Sequence, residues 1–181
     1  MSRSAVNAGA WGPCGGTQGD GAVAFRSEIL IKLDKKGRCL LPAAFRDELP
    51  ADDRGAFVLY HSPNLQGVVN GNSRAGFDAM LERLRLEALG PKGALKVALD
   101  DEAFDPAGHL SASARTIAME PDGRFTLPAE FASVLEVGDG VMLVGKGDKF
   151  QLWNPGRWQQ RRDTDRDKMA AFVRGLGTGE A

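Results

Sequence analysis

Apolar and polar residues alternate over Phe25–Leu33, with Ile29 and Ile31 on one side of the alternation. This period of two predicts a β-strand with one buried face. The next four residues, 34–37, combine Asp, Lys and Gly, which favour a tight turn, and a second strand is predicted over Arg38–Leu41. Together these segments predict a β-hairpin.

Further strands and helices follow in the pattern. Pro42 predicts the start of a short helix that ends near residue 49, since proline fits the first turn of a helix. Strands are predicted near residues 56–60 and 65–69. Ser73 can cap a longer helix, which a Gly-Pro pair ends. The apolar residues of that helix fall at helical spacing and are expected in the core: Phe77, Met80, Leu81, Leu84 and Ala88.

The pattern repeats within the chain. The stretch LDKKGRCLLPAAFRDEL at 33–49 returns as MEPDGRFTLPAEFASVL at 119–135, with 7 identities in 17 positions. Similar strand patterns follow each copy, and the second ends in a helix that Asn154 and Pro155 begin. The repeat therefore spans a whole module. Two modules are too few for a solenoid, so we expect a pseudo-twofold pair around one shared core, with an α+β fold that is mainly β with short helices.

Composition and charge narrow the functional classes. The 181 residues include 23 basic and 24 acidic side chains, a net charge of −1, so any site for a polyanion must be local. Cys14, Cys39 and two histidines give neither a disulfide framework nor a zinc-binding spacing. No nucleophile with a base and no phosphate loop is present, so no enzyme and no cofactor are expected. No apolar run is long enough to span a bilayer, and we expect a cytoplasmic protein without a membrane partner.

The candidate chemistry lies in the two repeated turns, DKKGR at 34–38 and EPDGR at 120–124. Each places an acid four residues before an arginine, and across a tight turn the two side chains can pair and fix the guanidinium. A fixed arginine fork suits N7 and O6 of guanine in the major groove, or a phosphate. The candidate DNA-binding residues are Asp34, Lys35, Lys36, Gly37, Arg38, Glu120, Gly123 and Arg124.

Local charge differs between the two turns. Residues 26–46 contain six basic and two acidic side chains, whereas residues 115–131 contain two basic and three acidic ones. The first turn is therefore expected to dominate any contact with DNA. Either turn alone could be no more than a loop with solvated charges. Turn geometry explains the repeated glycine, however, and does not explain the repeated arginine or the acid before it.

A resemblance to a known family rests on these residues. The segment FRSEILIKLDKKGRCLLPAAFRDEL, the second Gly-Arg turn and VMLVGKGDKFQLWNPGRW resemble the MraZ transcriptional regulators of bacteria, in the SpoVT-AbrB superfamily. The resemblance runs from about Phe25 to Trp158. It implies two tandem swapped-hairpin modules and assembly into a ring-shaped homo-oligomer.

The resemblance also implies a function. MraZ proteins bind G-rich direct repeats in double-stranded promoter DNA and usually repress the division and cell wall gene cluster that includes their own gene, so nucleoid association is expected. Matching positions assign DNA contact to Asp34, Lys36, Gly37 and Arg38 in the first turn, and to Glu120, Gly123 and Arg124 in the second. The second turn departs from the family pattern, because Glu120 replaces an Asp.

These observations divide the chain into five expected segments. A flexible N-terminal extension (1–24) precedes SpoVT-AbrB-like module 1 (25–90), an acidic connector (91–112), module 2 (113–160) and a charged C-terminal tail (161–181). The alternative function is a protein-interaction module of the antitoxin kind.

Three further expectations concern single features: Cys39 is a small buried residue, Trp153 and Trp158 are core or interface anchors, and the charges of the tail form a solvated helix face with internal pairs.

Overall fold

The computed structural model describes residues 24–99 and 103–177, so the predicted flexible extension lies almost entirely outside the described residues. The described part is α+β, with an antiparallel sheet and several helices. Two helices, of 26 and 23 residues, are longer than the short helices we expected. The first restarts after a break at Gly90, and the second continues into the charged tail.

The elements alternate along the chain in two similar series. The strands are β1 (Glu28–Lys32), β2 (Arg38–Leu40), β3 (Ala56–His61), β4 (Val68–Asn72), β5 (Arg115–Ala118), β6 (Arg124–Thr126), β7 (Gly140–Gly145) and β8 (Phe150–Trp153). The helices are α1 (Ala43–Arg46), α2 (Arg74–Leu99), α3 (Pro106–Ala112), α4 (Ala129–Leu135) and α5 (Pro155–Gly177), with a single 3-10 turn at Ala51–Asp53.

Strands from the two halves of the chain are interleaved. The six-stranded sheet has the order β1-β7-β8-β4-β3-β5, and β2 pairs with β6 in a separate two-stranded ribbon. All these pairs are antiparallel. The turn predicted after β1 is present, but the predicted hairpin is wrong. The strands on either side of the turn pair elsewhere, β1 with β7 and β2 with β6.

One hydrophobic core lies on the inner face of the sheet and takes side chains from both halves. Phe57 of β3 packs edge-on against Phe125 of β6, with ring centroids 5.0 Å apart. In β1, Ile31 is buried and Ile29 packs against the core, whereas Leu30 is exposed. The inward face predicted from the alternation is therefore confirmed, and both copies of the repeat contribute to this core.

Two long helices, α2 and α5, pack on the outer face of the sheet, and both begin where the sequence predicts. The Ser73 hydroxyl accepts a hydrogen bond from the Gly76 amide at 3.0 Å, which caps α2. Phe77 of α2 packs on Tyr60 of β3, with centroids 4.9 Å apart. The helix breaks at Gly90, where φ is 63° and ψ is 177°, and then continues to Leu99.

The other covering helix, α5, begins at Pro155 after a cap by Asn154, whose Oδ1 accepts from the Gly156 amide at 2.9 Å. Trp158 and Trp153 are both buried and contact each other, which confirms that these tryptophans are anchors of the core. The helix runs on through the charged tail. An ion pair joins Arg161 to Asp165 at 2.9 Å, as expected for a solvated face with internal pairs.

Candidate nucleic-acid interface

The two repeated turns have the same backbone construction. In the first, the Gly37 amide donates to the Asp34 carbonyl at 2.9 Å, and the Asp34 amide donates to the Arg38 carbonyl at 2.9 Å. The second turn makes the same two bonds between residues 120, 123 and 124, each at 2.8 Å. Gly37 and Gly123 have φ of 75° and 92°, in the left-handed region that favours glycine. The predicted turn chemistry is confirmed in both copies.

The ribbon of β2 and β6 brings the two arginines onto one surface. Arg38 lies opposite Thr126, and Leu40 lies opposite Arg124. Cys39 and Phe125 point into the core, so these four residues share the exposed side, which we call the ribbon face. Arg38 and Arg124 are diagonal neighbours on the ribbon face. The Cα atoms of such neighbours lie about 7 to 8 Å apart in an antiparallel pair.

The first turn holds its arginine with the predicted acid. Asp34 Oδ2 accepts from Arg38 Nε at 2.7 Å, while Oδ1 accepts from the backbone amides of Lys36 and Arg38 at 2.8 and 2.9 Å. The Arg38 amide, and then its guanidinium, are the largest causes that lower the pKa of Asp34 below its ordinary value. Because the contact uses Nε, the described residues leave the two terminal amino groups of Arg38 available to a ligand.

The second turn holds its arginine differently, and the predicted pairing with Glu120 is wrong. Arg124 donates from Nη1 to Asp122 Oδ2 at 2.6 Å, and its backbone amide donates to Asp122 Oδ1 at 3.1 Å. Asp122 occupies the position that Lys36 has in the first turn. An aspartate two residues before the arginine can reach both the backbone amide and the guanidinium of that arginine. The contact uses one of the two terminal amino groups of Arg124.

The other predicted residues surround this surface. Lys35 and Lys36 are exposed at the tip of the first turn, and Glu120 is exposed at the second. An open concavity of about 520 Å³ joins the turns, and side chains from both copies line it. The lining residues are Lys32, Leu33, Asp34, Arg38, Cys39, Leu40, Glu120 and Arg124. The concavity thus brings together Asp34 and Arg38 of the first turn with Glu120 and Arg124 of the second, whereas Lys35 and Lys36 do not line it.

Two comparisons with known proteins both find similarity to MraZ proteins. Residues 110–175 match the model of the family described as "MraZ protein, putative antitoxin-like". Two relatives are each called "Transcriptional regulator MraZ". The one from Azorhizobium caulinodans is 28% identical over 155 residues, covering 86% of this chain and 92% of the relative. The one from Pseudoalteromonas translucida is 25% identical over 151 residues, covering 82% and 92%. The chain is therefore similar to MraZ proteins over most of its length.

The extent of the MraZ match bears on the site. A continuous stretch covering 86% of the chain necessarily includes both turns, so the whole ribbon lies within the part that is similar to the Azorhizobium MraZ. A third MraZ relative, from Xylella fastidiosa, is 28% identical over 130 residues, covering 72% of this chain and 82% of the relative. Because these relatives are matched over most of their length, the comparison concerns whole proteins rather than a shared fragment.

Three residues of this surface were missed as site residues in the sequence. Leu40 and Lys32 line the concavity, and Arg46 of α1 lies against Gly123, whose added Cβ would be 2.6 Å from Arg46 Cδ. Arg46 Nε is buried and has no hydrogen-bond partner among the described residues. Lys32 and Arg46 contribute to the positive charge of residues 26–46, and that local charge is the feature of the sequence that could have identified them. The third residue, Leu40, reaches this surface because β2 pairs with β6, and no pattern in the nearby sequence predicts that pairing.

The geometry confirms one sequence interpretation of a single feature, that of Cys39. Cys39 is buried, and burial raises the pKa of its thiol to about 12, which confirms the small buried residue. Within residues 24–99 and 103–177, no cluster of His, Cys, Asp and Glu could hold a metal ion. Over the same residues, none of the helices combines the length and the apolar character needed to cross a membrane.

Proposed function

We propose that this protein is a DNA-binding transcriptional regulator that contacts guanine-rich sites through the ribbon face. The single observation that carries the proposal is the joint presentation of Arg38 and Arg124, each held by a carboxylate, on one exposed side of a two-stranded ribbon. The major groove of B-DNA admits a two-stranded ribbon, and guanine presents two acceptors there that match an arginine fork.

The two arginines have different roles in this proposal. Arg38 is held at Nε, so both terminal amino groups can donate to N7 and O6 of one guanine. Arg124 has one terminal amino group engaged by Asp122, which suits a single contact with a phosphate better than a bidentate contact with a base. Lys35 and Lys36 extend the positive surface toward the DNA backbone.

The finer features follow the resemblance and the names of the relatives. We propose that the protein acts at the nucleoid, on G-rich direct repeats upstream of a division and cell wall gene cluster that includes its own gene, and usually as a repressor. The pairing of β1 with β7 and of β5 with β3 supports two tandem swapped-hairpin modules of the SpoVT-AbrB type, at 25–90 and 113–160. A ring of such chains would strengthen weak single contacts by effective concentration.

A second function is favoured by one observation, the antitoxin-like description of the matching family. In that case the chain would bind a protein partner rather than DNA. The described tail counts against an acidic unfolded segment of the antitoxin kind, since it is helical to Gly177 and carries both signs of charge.

The test is fluorescence anisotropy with the protein's own upstream DNA and a scrambled duplex of the same length, each at two salt concentrations. We expect a preference for the native sequence of roughly a thousandfold or more. Arg38→Ala should reduce that preference by about 1 to 3 kcal/mol per site. Arg85→Ala is the matched control, because Arg85 is also a partly exposed arginine in an ion pair, on α2 at the opposite face of the sheet.

The outcomes separate the candidate functions. Wild-type affinity and preference in the Arg38→Ala protein would contradict the assignment of the ribbon face. Equal, salt-sensitive binding to both duplexes would reduce the site to a general polyanion surface. No binding to either duplex would favour the protein-interaction function.

A further inference from the structure

Arg46 of α1 has a buried nitrogen atom that meets no partner in the described part of the chain. Its Nε is enclosed and makes no hydrogen bond to residues 24–99 or 103–177. The guanidinium also forms no ion pair with a carboxylate among those residues. The residue as a whole is only half-buried, so its terminal amino groups are accessible. Buried donors of this kind are uncommon in folded proteins, and a bound ligand can account for them.

The side chain of Arg46 lies against the second turn, although α1 belongs to the first half of the chain. A Cβ at Gly123 would be 2.6 Å from Arg46 Cδ and 2.8 Å from Arg46 Nε. The Leu41 amide donates to the Gly123 carbonyl at 2.9 Å, and this bond holds the residues just before α1 on the same turn. Gly123 directly precedes Arg124. Arg46 therefore places a second positive charge at the turn that presents Arg124.

The first turn has no equivalent in α4, the helix that matches α1. Ala132 stands where Arg46 stands in the other copy of the repeat, and a Cβ at Gly37 would meet only a backbone carbonyl. The tip of the first turn carries two lysines, whereas the tip of the second carries Pro121 and Asp122. Arg46 thus supplies, from the other half of the chain, the positive charge that the second turn lacks in its own sequence.

We propose that Arg46 binds a DNA phosphate beside the second turn and, together with Arg124, anchors that turn on the DNA backbone. The anchor rests on the proposed DNA-binding function and adds a contact that the repeated motif does not contain. Phosphate oxygens accept charge-assisted hydrogen bonds from a guanidinium, so a phosphate would complete the donors of Arg46 that the described residues leave unpaired. Asp122 already engages one terminal amino group of Arg124, so Arg46 would make the stronger contact.

The anchor would make the two ends of the ribbon chemically different. Arg38 offers both terminal amino groups to guanine, whereas the second turn would hold the backbone through two guanidinium groups. Contacts with bases carry the sequence information, and contacts with phosphate fix position and orientation. The ribbon would therefore bind its site in one direction, although its two strands come from equivalent copies of the repeat. A single direction suits sites arranged as direct repeats, in which every copy points the same way.

The first test measures binding of the full chain to its own upstream duplex and to a scrambled duplex, by fluorescence anisotropy over a range of salt concentrations. Arg46→Ala should weaken binding to both duplexes by the same factor, roughly tenfold at low salt, and should reduce the salt slope by about one. Arg46→Lys keeps the positive charge and should restore the slope. The matched control is Arg83→Ala, which removes the same charge from an exposed position of α2, on the outer face of the sheet. The control should bind as the wild-type protein does.

A purely structural role for Arg46 would give a different result. Its aliphatic part would then support Gly123 while its charge stayed in solvent. In that case Arg46→Ala would lower the free energy of unfolding and leave the salt slope unchanged. Urea unfolding of each variant shows whether it is folded under the conditions of the binding assay.

A second test locates the phosphate itself. Uncharged methylphosphonate groups replace the phosphates of the native duplex one at a time. We expect the wild-type protein and Arg83→Ala to lose affinity at a position where Arg46→Ala loses none, because the contact is already missing in that variant. A structural role would not depend on any single phosphate. The same pattern of losses in the wild-type protein and in Arg46→Ala would overturn the proposal.

The outcomes distinguish failure of the anchor from failure of the regulator function. If the wild-type protein prefers its own upstream duplex and Arg46→Ala keeps the wild-type affinity and slope, the anchor fails and the regulator function stands. If Arg46→Ala weakens binding to the native duplex alone, Arg46 acts in base recognition, and the phosphate contact is overturned. If the wild-type protein binds neither duplex, both proposals fail together.

Discussion

Replacing Gly37 or Gly123 by alanine would strain the backbone to a similar degree, but the space for the added Cβ differs between the two turns. Gly37 and Gly123 both have positive φ, but a Cβ at Gly37 would meet only the Leu127 carbonyl, at 3.3 Å. A Cβ at Gly123 would lie 2.6 Å from Arg46 Cδ and 3.0 Å from the Leu41 carbonyl. We therefore expect alanine to be tolerated less well at Gly123 than at Gly37.

The magnitudes follow from these contacts. A left-handed conformation costs an alanine about 1 to 2 kcal/mol, partly offset because alanine restricts the unfolded chain. Gly37→Ala should therefore reduce the free energy of unfolding by about 1 kcal/mol. Gly123→Ala adds the overlap with Arg46, and overpacking of a buried position costs about 1 to 3 kcal/mol, so a total loss of about 2 to 4 kcal/mol is expected.

The assay is urea unfolding followed by far-UV circular dichroism at one protein concentration, because association affects apparent stability. A double-mutant cycle tests the cause. If Arg46 is the obstacle, Gly123→Ala should cost less in an Arg46→Ala background, with a coupling energy of about 0.5 to 3 kcal/mol. An equal loss for Gly37→Ala and Gly123→Ala, or a coupling energy near zero, would refute the reasoning from the contacts of Gly123.

Three further predictions concern the charges of the turns. Lys36→Ala should weaken binding to native and scrambled duplexes by the same factor and reduce the salt slope by about one, whereas an unchanged slope would place Lys36 away from phosphate. Asp122→Asn removes the acid that engages Arg124, so binding to both duplexes should become tighter at low salt, and the gain should fall as salt is raised. Weaker binding would contradict this expectation and would mean that Asp122 holds Arg124 in the orientation that contacts DNA. The pKa of Asp34 is lowered first by the backbone amide of Arg38 and then by its guanidinium, so the charged carboxylate stabilises the fold fully above the ordinary value of 3.8, and this stabilisation is lost as pH falls through the lower folded value. The stability difference between wild type and Asp34→Asn should therefore disappear in strong acid, and a difference that persists there would contradict the ionic contact.

The sequence predicts the local parts of this fold well. Helix starts at Ser73 and Asn154, the inward side of β1 and the conformation of Gly37 all depend on residues close together in the chain. Strand pairing does not, because β1 and β7 are separated by more than 100 residues and a tight turn looks the same whether its strands pair with each other or diverge.

The candidate site divides along the same line. Asp34 and Arg38 are four residues apart across one turn, and their contact could be predicted from spacing. The contact between Asp122 and Arg124 could not, because two acids compete for the same guanidinium and the choice depends on reach within the folded turn. Arg46 was missed as a neighbour of Gly123 because that contact joins the two halves of the chain.

The pairing between the two copies of the repeat has a consequence for how such a site can evolve. The Leu41 amide donates to the Gly123 carbonyl and the Leu127 amide to the Gly37 carbonyl, both at 2.9 Å, so each copy of the repeat completes the other as two identical subunits would. In a symmetric dimer every substitution is made twice, and both sites must change together. One continuous chain removes that constraint. Lys36 in one turn and Asp122 at the matching place in the other are a difference that a gene for identical subunits could not encode.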